Sequence, residues 1–173
     1  MTRTYTAALP IAYAAVRLLI VLNWAFGAAI LTLLLVSPNA RWIMSAFHLS
    51  PSPDTDRLIL GLRLVAAIGL AAVPVNHMIL KRLKAMIGTV RGGDPFVAAN
   101  AGRLQTIAWA MLALQLMSLV IGVIGKSVST PAHPLHFDAG FSTSGWLAVL
   151  LTFVLARVFA EGAAMRDELD GTV

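Results

Sequence analysis

Apolar residues gather into four runs separated by polar connections, at residues 11–36, 58–80, 104–124 and about 141–160. Each is long enough, at about 1.5 Å per residue, to cross or nearly cross a hydrocarbon core of about 30 Å. None alternates apolar and polar positions as a lipid-facing strand would. A helix in lipid satisfies its own backbone hydrogen bonds, so four transmembrane helices are predicted. The first run is too long for the apolar part of a signal peptide and carries Arg17 and Asn23, so it is expected to stay as an anchor.

Helical periodicity does not stop where the apolar runs stop. Past Leu80, the residues Leu83, Ile87 and Val90 continue at helical spacing while Lys81, Arg82, Lys84 and Arg91 take other faces, which predicts that the second helix projects beyond the bilayer. Gly92 and Gly93 should end it. Asp94 suits an N-cap and Pro95 a first-turn position, so a new helix is expected to begin there and run through Asn100 and Arg103 into the third span. Residues 81–103 then form a helical hairpin. The stretch "RVFAEGAAMRDELDGTV" sets Val158, Phe159, Met165 and Leu169 among charges, which predicts that the fourth helix also overhangs, with residues 161–173 as a tail.

The remaining connections read differently. "SPNARWIMSAFHLSPSP" places Trp42, Ile43, Met44 and Phe47 between proline-containing turns, as a short segment lying in a membrane interface would. "GKSVSTPAHPLHFDAGFSTSG" reads as an irregular loop. No repeat relates the two halves.

Composition agrees with this layout. The chain has 173 residues, 58% of them hydrophobic and 12% charged, and its mean hydropathy is +0.81, well beyond an ordinary soluble domain. The formal charge of +5 is strung between apolar runs and does not cover one soluble face, so direct nucleic-acid binding is not expected and anionic lipid headgroups are the simpler counter-charge. The absence of cysteine excludes disulfides, thiolate metal sites and thiol catalysis. Lys81, Arg82, Lys84, Arg91 and Arg103 outweigh the basic residues of the other connections, Arg41 and Arg57 in the first and Lys126 in the third. The positive-inside rule then puts the hairpin and both termini in the cytoplasm. Arg17 and Arg157 fall near inner helix ends and Arg63 near an outer one, each within snorkelling reach of headgroups. The predicted fold is therefore all-α: a polytopic membrane protein with four spans, of which helices 2, 3 and 4 extend into the cytoplasm.

Two motifs carry a family resemblance. In "GDPFVAANAGRLQTIAWA", a glycine, Pro-Phe, an asparagine, Arg-Leu and a nearby isoleucine fall on Gly93, Pro95, Phe96, Asn100, Arg103, Leu104 and Ile107. The ending "EGAAMRDELDGTV" supplies Arg166, Glu168, Asp170, Thr172 and Val173, with Gly171 where a leucine is usual. The chain resembles the bacterial membrane-protein family called domain of unknown function 2975. The resemblance implies a multi-pass protein of the bacterial cytoplasmic (inner) membrane without established catalytic activity. It also implies an encoded neighbour, a small helix-turn-helix regulator of the Xre type, and so a membrane protein that holds or releases such a regulator.

Candidate sites follow, each with a structural alternative. Asp167, Glu168 and Asp170, with Arg166 beside them, would meet the basic surface that a helix-turn-helix protein offers to DNA, or would form a solvated face. The hairpin around Phe96 is a second docking surface, unless Asp94, Pro95 and Phe96 only start a helix and staple it to its neighbour. Asn100 and Arg103 would touch a partner, or would pair with Glu161 or the tail to hold the overhangs together. Gly93 and Leu104 complete the motif as structural positions. His133, His136 and Asp138 have weak metal-ligand character, and neither a metal nor a cofactor is expected. Asn23, Asn76, His77 and Gln115 would line a polar path or make interhelical hydrogen bonds. The spacings Ala25–Ala29 and Ala67–Ala71 permit close helix contact. No nucleophile or acid–base pair suggests an enzyme, since Ser118 has no evident partner in sequence. A membrane regulator leads; a small transporter or channel subunit, or a scaffold, is the alternative. A homo-oligomer with shared faces is compatible with both.

Overall fold

The computed structural model describes residues 3–36, 45, 52–129 and 139–170; of residues 3–8, 54, 169 and 170 it describes the backbone. Four long helices account for almost all of them: α1 Arg3–Val36, α2 Pro53–Arg91, α3 Ala98–Val128 and α4 Thr143–Asp170. All four are long and apolar enough to cross a membrane, and only 11% to 22% of each apolar window is buried within the protein. Lipid must therefore cover the rest. The interfacial segment expected around Trp42 and Phe47 and the loop carrying His133, His136 and Asp138 lie outside the described residues.

Local chemistry fixes the helix ends. Ser52 caps α2, its Oγ accepting from the Thr55 N–H at 3.1 Å, and Pro53 occupies the first turn. At the other end Gly93 adopts φ +84°. Its N–H donates to Val90 O and the Asp94 N–H reaches back to Thr89 O, both at 3.1 Å. This pair of bonds is a Schellman motif, and a side chain at Gly93 would strain it. The same motif corrects the expected start of the third span. Asp94 is engaged in closing α2, so residues 94–97 are extended and α3 begins at Ala98, with Val97 at the cap position and no side-chain cap bond.

The helices pack as a row, each against its sequence neighbours, and α1 makes no comparable interface with α3 or α4. The pairings set an antiparallel register along each seam. Tyr13 lies opposite Lys84 and Arg91, Trp24 opposite His77, and Gly27 opposite Val73. Gly61 faces Val128 at one end of the α2–α3 seam, and Thr89 faces Asn100 at the other. Trp109 meets Phe153 across α3 and α4.

That register brings Arg17, Lys81, Arg82, Lys84, Arg103 and Arg157 to a common height near the hairpin end. Arg63 and Lys126 share a height at the other. The rise from Arg63 to Arg82 is about 28 Å, close to the hydrocarbon thickness of about 30 Å. Basic residues thus mark both edges of the lipid-covered zone, and the helices continue beyond one edge.

Close approaches occur at glycines. A Cβ on Gly27 would lie 3.0 Å from a Val73 methyl, one on Gly61 2.6 Å from a Val128 methyl, and one on Gly122 2.8 Å from Gly140 Cα. The alanine spacings noted in the sequence are not the contact points, because Ala25, Ala29, Ala67 and Ala71 are all exposed. Near Gly122 the chain before α4 folds inward. The Ser118 hydroxyl accepts from the Gly140 N–H at 3.2 Å and lies 3.4 Å from its carbonyl oxygen, so Ser118 has a backbone partner after all. Gly140, at φ +134°, therefore sits between the levels of Gly122 and Ser118, about 6 to 12 Å inward of Lys126 along α3.

Gly61 and Gly102 give a test of this packing. Val128 is β-branched and cannot swing away, so Gly61→Ala should cost about 1–3 kcal/mol and lower the melting temperature in detergent. Gly102 has nothing within 4 Å of an added Cβ, so Gly102→Ala should leave the melting temperature unchanged or raise it.

Candidate functional site: the hairpin end

The hairpin is organised around Asn100, which is 1% exposed. Its Nδ2 donates to Thr89 Oγ1 on α2 and to Pro95 O in the extended link, both at 2.8 Å. Its Oδ1 accepts from Arg103 Nη1 at 2.7 Å. The Thr89 hydroxyl donates in turn to Met86 O at 2.8 Å. One amide therefore ties the end of α2, the link and the start of α3 together with its hydrogen-bonding capacity used, as burial of a polar group requires. Arg103 Nη1 also lies 3.5 Å from Ala85 O, at the α2–α3 seam.

The link then attaches to α4. The Phe96 ring packs against Phe159, tilted by 32° with centroids 5.2 Å apart, and approaches Gly162, where a Cβ would come within 3.2 Å of it. Asp94 forms an ion pair with Arg166. Helices α2, α3 and α4 are thus joined beyond the apolar zone, and Ala163, 2% exposed, lies on the packed face of α4. On the other flank, the Lys84 Nζ and Arg91 guanidinium lie 5.3 and 5.5 Å from the Tyr13 ring centroid, within the range of cation–π attraction.

The residues named from sequence therefore divide. Gly93, Asp94, Pro95, Phe96, Asn100 and Arg103 come together with Arg166 in one connected cluster, and Leu104 is buried beside it. Glu161 does not join them. It pairs with Arg157 one turn earlier on the same helix at 2.7 Å, so neither Asn100 nor Arg103 uses it. Asp167 and Glu168 are exposed; only the backbone of Asp170 is described, and Thr172 and Val173 lie outside the described residues. Thr89 and Tyr13 complete the arrangement without having been singled out, and Phe159, named from sequence as an apolar residue of the overhang, joins it as the neighbour of Phe96. The seven-residue spacing of Lys84 and Arg91 was the one signal that could have pointed to a shared partner.

A second polar group lies within the apolar zone, between α1 and α2. Asn23 Nδ2 donates to Val73 O at 3.1 Å and Asn76 Nδ2 donates to Asn23 Oδ1 at 3.1 Å. Trp24 Nε1 donates to His77 Nδ1 at 3.2 Å. These are interhelical bonds in a medium with no competing water. Gln115 is not among them, since its amide packs on Gly145 of α4. Among the described residues no group of three or more His, Cys, Asp or Glu is placed to hold a metal ion.

Four apolar helices define a multi-pass membrane protein. A family model, described as "Protein of unknown function (DUF2975)", matches residues 13–173, and the chain belongs to that family. No curated protein and no solved structure matches it.

Asn100→Leu preserves approximate volume but leaves Pro95 O and the Arg103 guanidinium without their partner. The substitution should destabilise the protein by about 1–3 kcal/mol and open the 92–97 link to proteolysis in detergent before the rest of the chain.

Proposed function

We propose that the protein is a non-enzymatic membrane regulator that binds or sequesters a cytosolic helix-turn-helix transcription factor through its hairpin end and acidic tail. In this reading the hairpin end and both termini face the cytoplasm, because Arg17, Lys81, Arg82, Lys84, Arg91, Arg103, Arg157 and Arg166 gather there. The observation that carries it is a prepared surface outside the apolar zone. Asp167 and Glu168 are exposed next to Met165, itself 60% exposed, and the Asp94–Arg166 pair and the Phe96–Phe159 contact hold this part of α4 against the hairpin. Acids fixed beside an apolar side chain suit a basic, partly apolar protein face. A helix-turn-helix protein turns such a face to DNA phosphates, so the membrane and the DNA would compete for it. The alternative of a small transporter or channel subunit draws support only from the Asn23, Asn76 and His77 group, whose polar atoms are engaged between α1 and α2.

Two experiments test this reading. Solubilised full-length protein should capture the Xre-type regulator that the family resemblance implies. Replacing Asp167, Glu168 and Asp170 together by alanine, or raising the salt concentration, should weaken capture severalfold; capture that is indifferent to both rejects the electrostatic mechanism. The orientation has its own measurement. The chain has no cysteine, so Glu168→Cys and Ser127→Cys each give a single label site. In intact cells an impermeant thiol reagent should modify the second and not the first, and the reverse pattern would overturn the topology.

A further inference from the structure

The face of the α2–α3 seam that turns towards lipid carries three hollows in line. The one nearest the hairpin has a volume of about 350 Å³ and is lined by Val75, Met78, Gln105, Thr106, Trp109 and Ala113. The next, about 250 Å³, lies between Ile68, Ala71, Met117 and Val120. The farthest, about 350 Å³, is flanked by Leu60, Leu64, Ile124 and Ser127. Both helices contribute residues at three- and four-residue intervals, so the hollows follow one straight stripe on each helix. Ala110, 3% exposed, is the buried small residue of the hairpin-side hollow, and Trp109 and Met78 line it as exposed side chains.

Arg57 lines the farthest hollow, whereas the hairpin-side hollow has no cation in its own lining and two just above it. Its walls are apolar except for Gln105 and Thr106, and the Thr106 hydroxyl already donates to Gly102 O at 2.8 Å. Arg82 follows Met78 by one helical turn on the same face of α2 and is exposed. Arg103 is pinned at the same seam by Asn100 Oδ1, which occupies one nitrogen of its guanidinium. Among the described residues the carboxylates that form ion pairs bind Arg157 and Arg166, and neither Arg82 nor Arg103 has one. Two cations with no carboxylate partner among the described residues therefore lie just above the apolar slot. The slot descends about 10 Å from Arg82 to Val75, within the roughly 15 Å depth of one leaflet's hydrocarbon.

We infer that this slot holds one anionic phospholipid of the hairpin-side leaflet, with an acyl chain along Val75, Met78, Trp109 and Ala113 and the phosphate at Arg82 and Arg103. A basic pocket between transmembrane helices at the headgroup level is the arrangement that selects such lipids. A zwitterionic headgroup brings its own cation and neutralises less of the charge at Arg82. The inference is independent of the regulator-binding reading, because it concerns the lipid-facing side of α2 and α3 and not the tail.

The test uses the full chain in nanodiscs containing phosphatidylcholine and phosphatidylglycerol in equal amounts, with retained lipid read by native mass spectrometry. Wild type should keep one phosphatidylglycerol in preference to phosphatidylcholine. Arg82→Gln should reduce that preference about fivefold, and Ala113→Phe, which fills the slot, should abolish retention. Arg91→Gln, which removes a cation beside Tyr13 and away from the slot, should leave retention as in wild type. Equal retention of the two lipids by wild type, equal losses in Arg82→Gln and Arg91→Gln, or a lipid-free dimer would each overturn the assignment. If Ala113→Phe does not fold, the contrast between the exposed positions Arg82 and Arg91 decides alone.

Discussion

Lipid removes the force that assembles most soluble helices. An apolar side chain gains little by leaving acyl chains for another helix, so a transmembrane seam must offer what lipid cannot, either close backbone approach or a hydrogen bond. The seams in this protein draw on these two means in different proportions. Gly27 and the Asn23–Asn76 and Trp24–His77 bonds join α1 to α2. Gly61 and the Asn100 network join α2 to α3. Gly122 and Ser118 hold the chain before α4 against α3, and Gly145 of α4 makes room for the Gln115 side chain of α3. The row of helices rests on these contacts, and the broad apolar faces between them are left to the bilayer.

The same circumstance explains how much could be read beforehand. Four spans and the glycine stop at residues 92–93 are visible because apolar runs and turn residues are local signals. Which face of each span packs is not, since a helix surrounded by lipid is apolar all round and the usual contrast between buried and wet sides disappears. In an alanine-rich chain the small-residue spacings pointed to Ala25 and Ala67, while the close contacts fall at Gly27, against the Val73 side chain, and at Gly61, against the Val128 side chain. Asp94 has both the residue type and the position of an N-cap. Its actual role depends on the Schellman motif behind it and on Arg166, seventy-two residues later. Glu161 was plausible as a partner for Arg103 until the register of α3 against α4 was known. Pairings of that kind depend on register, which one sequence does not encode locally.

The two ends of the molecule have different characters as a result. At the hairpin end, helices run past the basic level and are cross-linked by Asn100, by Phe96 on Phe159 and by Asp94 with Arg166, which gives an ordered platform outside the lipid. At the other end, α4 starts late and the backbone before it turns inward to Ser118, where Gly122 makes room. Irregular backbone at that depth is tolerated because a serine satisfies the Gly140 N–H. One end is cross-linked beyond the basic level, and at the other the chain before α4 folds back against α3.

The open row also bears on how the protein assembles. Every substantial interface joins helices that are consecutive in the chain, so no early helix waits for a distant one, and contact order is low for a four-span protein. Each hairpin can dock as soon as its second helix enters the bilayer, with α1 and α2 complete before α4 has been synthesised. A nascent chain arrested after α3 would already possess two of its three seams, and biogenesis would proceed by addition at one edge, not by closure around a core.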